Sequence, residues 1–467
     1  MANRWKGNII AAAATTSSGT DYTGKANGAW GLNSQLQQKQ GGLWAKGVGV
    51  PSAPTIGAVT GGNAQALVNF TASSDNGGGS LTYTATSTPG SITATSSSSP
   101  ISVTGLNNGT AYTFTVHANS SLGYTSAESA ASNSVTPSAG GFGTKYANPS
   151  TLPPNSAAGV SFNPSGTSVA VATGASPGLT VYPWSSGFGA KYADPATPIG
   201  NGCSAVTFSP SGSDIAMTGT GGGATIVAYT WNNGFGTRYA DPSGVPTEQG
   251  KGVTFNPSGT TVAFTYLLFA ASCTVFAYPW SSSGFGTRYA DPSTPVTIGA
   301  YGVKFNPAGN VIIVGGTISP YVFAYAWDNG FGTKFANPST LPTGSPWSIS
   351  FTPTGNMVAL GHNTAPYLSV YPWSNGFGTR YTNPAVLPTY QVRGIAFSPS
   401  GDSLVMGNWN NTPYLNAYIW NNGFGAKYAD PATPPEGGVY GLSMNSSGNA
   451  IALAMDATPW IAAYAYG

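Results

Sequence analysis

Gly141-Phe142-Gly143-Thr144-Lys145-Tyr146 returns as Gly187-Phe188-Gly189-Ala190-Lys191-Tyr192, and further copies begin at Gly234, Gly284, Gly330, Gly376 and Gly423. The successive spacings are 46, 47, 50, 46, 46 and 47 residues. A period in this range marks a supersecondary unit that cannot bury its apolar face alone and must stack on its neighbours. Between copies the same short runs recur in one order. A Phe-Asn-Pro-Ser-Gly-like segment (162–166, 208–212, 255–259) is followed by an apolar run (169–172, 262–264) and then by Tyr-x-Trp (Tyr182 and Trp184, Tyr229 and Trp231). With the Gly-Phe-Gly segment, each unit reads as four short strands separated by turn residues at fixed offsets.

Four strands at this period predict blades arranged around an axis. The two ends of the repeat fit each other. The first Gly-Phe-Gly copy precedes any inner strand, and the last unit stops at Tyr464-Ala465-Tyr466-Gly467 without a copy of its own. Placing residues 141–146 against the last unit completes seven blades with no strand left over. The expected fold is therefore all-β, with a seven-bladed β-propeller over residues 138–467.

Residues 51–137 alternate apolar and polar positions in short runs, for example Ala66-Leu67-Val68-Asn69-Phe70, Leu81-Thr82-Tyr83-Thr84-Ala85 and Tyr112-Thr113-Phe114-Thr115-Val116. Gly, Ser and Asn turns separate them, the pattern of a β-sandwich. Residues 1–50 are polar and Gly-rich, with Trp5, Trp30 and Trp44 spread through them and one short helix expected at 35–40. A segment this short cannot bury its own tryptophans, so it is expected to pack against a partner. The apolar run 9–14 is shorter than a secretory core and is not expected to act as one.

Charge limits the partners. Fifteen Lys and Arg and thirteen Asp and Glu make up only 6% of 467 residues, with a net charge of +2. That is no footprint for nucleic acid, which needs a concentrated basic stripe. No apolar stretch approaches the roughly 20 residues of a membrane-spanning helix. A surface of Gly, Ser, Thr, Asn and Tyr suits hydrogen bonding to sugars instead. Cys203 and Cys273 lack metal-site spacing and are expected to be free thiols. With two histidines in the chain, His117 and His362, and scattered acids such as Glu248, Glu436 and Asp456, no catalytic set is apparent. Neither an enzyme, a metal nor a cofactor is expected.

The repeat also separates scaffold from variable positions. A cation recurs in each Gly-Phe-Gly strand (Lys145, Lys191, Arg238, Arg288, Lys334, Arg380, Lys427), where it would protect an outer edge strand from aggregation. An Asp or Asn three residues later is expected to cap the turn. The position leading into the innermost strand varies: Ala158, Ser204, Lys251, Tyr301, Trp347, Arg393 and Tyr440. It should line the mouth of the central channel, so Lys251, Tyr301, Trp347, Arg393 and Tyr440 are candidate ligand contacts. A second loop carries Tyr321, Tyr367, Tyr414 and Trp460 at one equivalent position, with Trp409 nearby. Of these, Tyr367, Tyr414 and Trp409 are candidate contacts, although the set could instead wedge between blades. Aromatic faces suit sugar rings, and loops on a rigid frame are where binding concentrates.

Three resemblances add to this. The Phe-x-Pro-x-Gly hairpin resembles that of WD-repeat and lactonase-like propellers, without their Trp-Asp or Gly-His dipeptides. Leu106-Asn107-Asn108-Gly109-Thr110-Ala111-Tyr112 resembles the tyrosine corner of a fibronectin type III domain, with Phe70 where that family usually has a core Trp. Residues 28–37 (Gly-Ala-Trp-Gly-Leu-Asn-Ser-Gln-Leu-Gln), followed by Trp44, are similar to the N-terminal segment of virion structural proteins of aquatic tailed bacteriophages. The last resemblance implies a virion appendage present in multiple copies on the virion surface. It would be anchored to other virion proteins through Trp5, Trp30, Leu32, Leu36 and Trp44, with the propeller displayed for host-surface polysaccharide or protein. A secreted adhesin and a glycan-cleaving or lactonase-like enzyme are the alternatives.

Overall fold

The computed structural model describes residues 49–467 apart from 63, 138–139, 200–201, 221–224 and 268–272. Trp5, Trp30, Leu32, Leu36 and Trp44, and the helix expected at 35–40, lie outside the described residues. The chain divides into two compact units, Met1–Pro137 and Ser138–Gly467.

In the first unit, β1 (Thr55–Gly62), β2 (Gln65–Thr71), β3 (Leu81–Thr88), β4 (Thr93–Ser96), β5 (Ile101–Thr104) and β6 (Thr113–Ser120) form two three-stranded sheets, β1-β2-β5 and β4-β3-β6. Strict alternation along β6 turns Phe114, Val116 and Ala118 inward. There they share one core with Val68, Phe70, Tyr83 and Val103. The Tyr112 hydroxyl accepts the Asn107 N–H at 3.0 Å and so braces the turn before β6. The free edge of β6 is covered by residues 126–135. The backbone N–H of Ser126, Ser129 and Ser132 donates to the carbonyls of Ala118, Val116 and Phe114. Each serine hydroxyl accepts the N–H of the same partner. A three-residue step on one side thus matches a two-residue step on the other, which is why serine recurs every third position.

Among the described residues, the second unit contains seven antiparallel sheets. Their inner strands are Ala157–Phe162, Cys203–Phe208, Gly250–Phe255, Ala300–Phe305, Pro346–Phe351, Val392–Phe397 and Val439–Met444. Each inner strand touches the next, and the seventh touches the first, so the sheets form a ring. The second strand of every sheet is buried at all of its positions, as in Ser168–Thr173 and Val311–Gly316. A neighbouring sheet covers each face, so these strands read as continuous small and apolar runs without alternation.

Ring closure is made by β7 (Phe142–Lys145), which pairs with the last strand, Ile461–Tyr466, with Tyr466 opposite Phe142 and Tyr464 opposite Lys145. The motif that fixes the period is a two-sided staple. Phe188 meets Trp184 of its own sheet edge-on at 5.1 Å, and Tyr192 meets Trp231 of the next at 5.2 Å. The same pairing joins the ends of the ring, where Phe142 lies 5.6 Å from Tyr466 and Tyr146 lies 5.0 Å from Trp184. Edge-to-face pairs of this kind add about 0.5–1.5 kcal/mol each beyond the area they bury.

The tyrosine two positions before each of these tryptophans ties the ring further. The hydroxyls of Tyr182, Tyr229, Tyr325, Tyr371 and Tyr418 donate to linker carbonyls at 2.6–2.8 Å, and that of Tyr278 at 3.3 Å. Tyr464, in the closing blade, is equally buried, but its hydroxyl has no protein partner. Tyr325→Phe should therefore cost about 1 kcal/mol in denaturant unfolding, the net worth of one such bond. Tyr464→Phe should cost nothing, and equal losses in both variants would contradict this reading.

One expectation needs correction. The acid or amide three residues beyond the strand cation does not cap a turn but takes up the cation's charge. Lys191 pairs with Asp194 at 2.6 Å, Arg238 with Asp241 at 2.7 Å, and Lys334 bonds Asn337 at 2.6 Å. Arg288–Asp291 and Lys427–Asp430 follow the same i,i+3 pattern. Lys145 pairs instead with Glu436, which is thereby committed to the outer rim. Pairs this exposed contribute little stability. Cys203 and Cys273 are separate buried thiols, and burial raises both above the ordinary thiol range.

Candidate functional site

Every inner strand slips register at its second residue. The breaks fall between Ala157 and Gly159, Cys203 and Ala205, Gly250 and Gly252, Ala300 and Val303, Pro346 and Ser348, Val392 and Gly394, and Val439 and Gly441. The residues skipped are Ala158, Ser204, Lys251, Tyr301, Trp347, Arg393 and Tyr440. Sequence spacing placed them in the loop before the strand; they stand one step inside it, on seven β-bulges. A bulge re-aims its side chain, and all seven line one axial cavity.

Close packing at the axis explains the residue that follows. A Cβ on Gly441 would lie 3.1 Å from Gly159 Cα and 3.2 Å from Val160 N, and one on Gly394 would lie 2.8 Å from Leu442 Cβ. A side chain at Gly394 or Gly441 would have to push its neighbour aside, whereas two other blades accept the small Ala205 and Ser348 at the equivalent position.

The cavity holds about 870 Å³, within the roughly 300–1,000 Å³ of ligand pockets. Its mouth is lopsided. Ala158 and Ser204 leave one side open, and the large side chains pack together on the other. Tyr301 stacks on Trp347 at 4.1 Å with 13° between the rings. The Arg393 guanidinium covers Trp347 at 4.0 Å and also lies 3.8 Å from the Trp409 ring and 4.4 Å from the Tyr440 ring. Lys251 sits 6.0 Å from the Tyr301 ring. The result is a continuous pile of cation, ring, ring, cation and rings. Both faces of Trp347 are occupied within the protein, so a sugar cannot stack on it.

Trp409 is held by its indole N–H, which donates to Asp456 Oδ2 at 3.0 Å, while Asp456 Oδ1 accepts the Gly438 N–H at 2.8 Å. The aromatics continue outward from there. Tyr390 lies 6.0 Å from Trp409, and Tyr367 lies 6.0 Å from Tyr390. Sequence reasoning missed Tyr390, which belongs to no repeated position.

It also missed Lys304, the fifth residue of its inner strand, where other blades have Ser161, Thr207, Thr254, Ser350, Ala396 and Ser443. The signal was a single cation at a position otherwise filled by small residues. Lys304 is solvent-accessible within the channel yet enclosed by it, and this desolvation lowers its pKa. Desolvation, with the charge of Arg393 second, brings Lys251 down to about 8.

The second candidate set behaves differently. Tyr367, Tyr414 and Trp460 each pack against a core between blades. Tyr321, Tyr367 and Trp460 hold φ of +64°, +70° and +67°, where the first blade has Gly178. For a bulky residue that backbone costs about 1–2 kcal/mol. Tyr367 reaches the mouth through Tyr390 and Trp409, whereas Tyr414 packs against the seam between its own blade and the next.

His362 is fully buried, with Nδ1 2.8 Å from the Thr364 carbonyl and Nε2 3.1 Å from Ser369 Oγ. His117 lies in the first unit, paired with Glu128 at 2.7 Å. Among the described residues no three His, Cys, Asp or Glu side chains are grouped to hold a metal.

No family model matches the sequence, and no curated relative matches it. Solved structures do resemble the fold. A chain of the mitotic checkpoint complex matches with a TM-score of 0.54 at 14% identity, covering 70% of this chain and 93% of its own. The β-propeller domain of Cps50 (Swd1) from Myceliophthora thermophila matches with a TM-score of 0.52 at 11% identity, covering 70% of this chain and 99% of its own. The fold is a β-propeller, and the structures it resembles are WD40-type β-propellers. At these identities the likeness extends to the fold alone. Among the described residues of the propeller, the channel mouth is a zone where one equivalent position runs from Ala158 to Trp347 and Arg393 in size and charge.

Proposed function

We propose that this chain is a non-enzymatic recognition protein whose propeller holds its ligand at the channel mouth. The observation that carries this is the set of seven bulges: the same backbone device in every blade points side chains of six different kinds into one cavity. A scaffold alone would need no such variation. The groups on offer are N–H and O–H donors with aromatic edges, which suits a host-surface glycan. A protein ligand is the second reading, favoured by the neighbour found in a multiprotein complex.

The test compares the full-length chain with a Trp347→Ala/Arg393→Ala double variant on a glycan array. Loss of the stack should reduce retention of any bound glycan by about tenfold or more, which is about 1.4 kcal/mol. The circular dichroism spectrum should be preserved. Unchanged retention moves the site elsewhere.

The carrier belongs to the same proposal. Residues 1–50 resemble a phage virion segment, and 51–137 would be a fibronectin type III-like spacer. The two-sheet core and the Tyr112–Asn107 bond support the spacer. The chain would then be a virion appendage. Deleting residues 1–50 should abolish incorporation into particles while leaving the thermal unfolding of the propeller unchanged. Particles that retain the truncated chain would rule out the anchor, and a proteolytically matured N-terminus in the native protein would favour a secreted adhesin.

A further inference from the structure

The axial channel is rich in cations. Lys251, Lys304 and Arg393 line it, and among the described residues no Asp or Glu does. On the outer rim the opposite holds, where six of the seven strand cations face an Asp, Glu or Asn partner. Among the described residues none of the three channel cations is in an ion pair. In a chain with only fifteen basic residues, three left unpaired in one cavity are a concentrated charge.

Arg393 Nε and Trp347 Nε1 are buried without an acceptor. Two wall hydroxyls are already used as acceptors: Ser443 Oγ accepts the Phe162 N–H at 3.0 Å, and Ser350 Oγ accepts the Phe397 N–H at 3.0 Å. Asp456 acts on Arg393 from behind Trp409, and Arg393 Nη2 lies 3.5 Å from Gln391 Oε1; what the lining itself lacks is a carboxylate. A neutral sugar is further disfavoured because Trp347, the largest ring at the mouth, has both faces covered.

We propose that the channel takes an anionic saccharide, with a carboxylate or phosphate group entering toward Lys304 and the sugar hydroxyls held at the mouth by Lys251 and Arg393. This rests on the reading of the mouth as the binding site and adds the chemical class of the ligand. A paired anion would also favour the charged forms that desolvation disfavours at Lys304 and Lys251. The size fits: about 870 Å³ admits more than one sugar ring.

The experiment follows the thermal unfolding of the full-length chain at fixed ionic strength with sodium glucuronate, sodium phosphate, glucose or sodium chloride. Glucuronate is expected to raise the unfolding temperature of the wild type by about 2 °C or more near saturation, and at lower concentration than phosphate. Glucose and chloride should leave it unchanged. Lys304→Gln should lose the response to both anions. That variant should itself unfold no earlier than the wild type, because other blades hold uncharged side chains at its position and a desolvated ammonium is removed.

Equal responses of wild type and Lys304→Gln would overturn the proposal. So would a phosphate response at or below the glucuronate concentration, which would mark a free-anion site. The two readings fail separately. If Trp347→Ala/Arg393→Ala loses a neutral glycan that Lys304→Gln still binds, recognition at the mouth stands and the anionic class falls. If the anion response survives in the mouth variant and vanishes in Lys304→Gln, the channel site stands without the mouth.

Discussion

Replacing Phe142 and Tyr146 together by alanine should destabilise the propeller by about 3–5 kcal/mol, more than the same change at Phe188 and Tyr192. Truncating a large buried ring costs this much by itself, and these two are half-buried, so packing alone would give about the same loss at both sites. The difference comes from the chain path. Phe188 lies in the same blade as its partner Trp184 and is joined to it by a tight turn, so contact is readily remade. Phe142 must find Tyr466 across the whole ring, and every re-closure must meet the entropy of a very long loop. The double variant should also lose amide-exchange protection along Ile461–Tyr466, the strand β7 pairs with. Equal destabilisation at both sites, with that strand still protected, would mean that closure does not hold the ring together.

Acid should weaken the fold through His362 by about 3 kcal/mol. The imidazole is fully buried, and that burial lowers its pKa from 6.5 to about 4. A folded pKa below the unfolded one means the unfolded chain binds the proton first. Stability is therefore complete above about pH 6.5, falls as pH drops toward 4, and levels off below it. The interval corresponds to about 3 kcal/mol at 1.36 kcal/mol per unit. The next blade holds Asn408 at the equivalent position, so His362→Asn is a replacement the architecture accepts. Denaturant midpoints at pH 7.5 and pH 4.5 should differ by that much more in the wild type than in the variant. An identical pH response in both would assign the acid sensitivity to other groups.

The ring was legible because its determinants are local and repeated. Phe188 and Tyr192 recur with fixed spacing since each copy must clasp two tryptophans, and unpaired strand segments at the two ends implied closure. The mouth residues were found by the same logic run in reverse, from positions where a strict repeat varies. Their placement on bulges was not legible, because a bulge is set by how closely neighbouring inner strands approach at Gly394 and Gly441, and that distance is a tertiary quantity. Lys304 escaped for a related reason. Nothing local distinguishes a lysine in an enclosed channel from one on an outer strand. The covered faces of Trp347 likewise depend on Arg393 arriving from the next blade.

The central claim is that ligand is held by the side chains on the inner-strand bulges. It is tested most directly by hydrogen exchange of the full-length chain with and without host-surface polysaccharide. Protection should concentrate at the starts of the inner strands around residues 251, 301, 347, 393 and 440. Protection confined to the Gly-Phe-Gly edge strands or to residues 51–137, with those five strand starts unchanged, would contradict it.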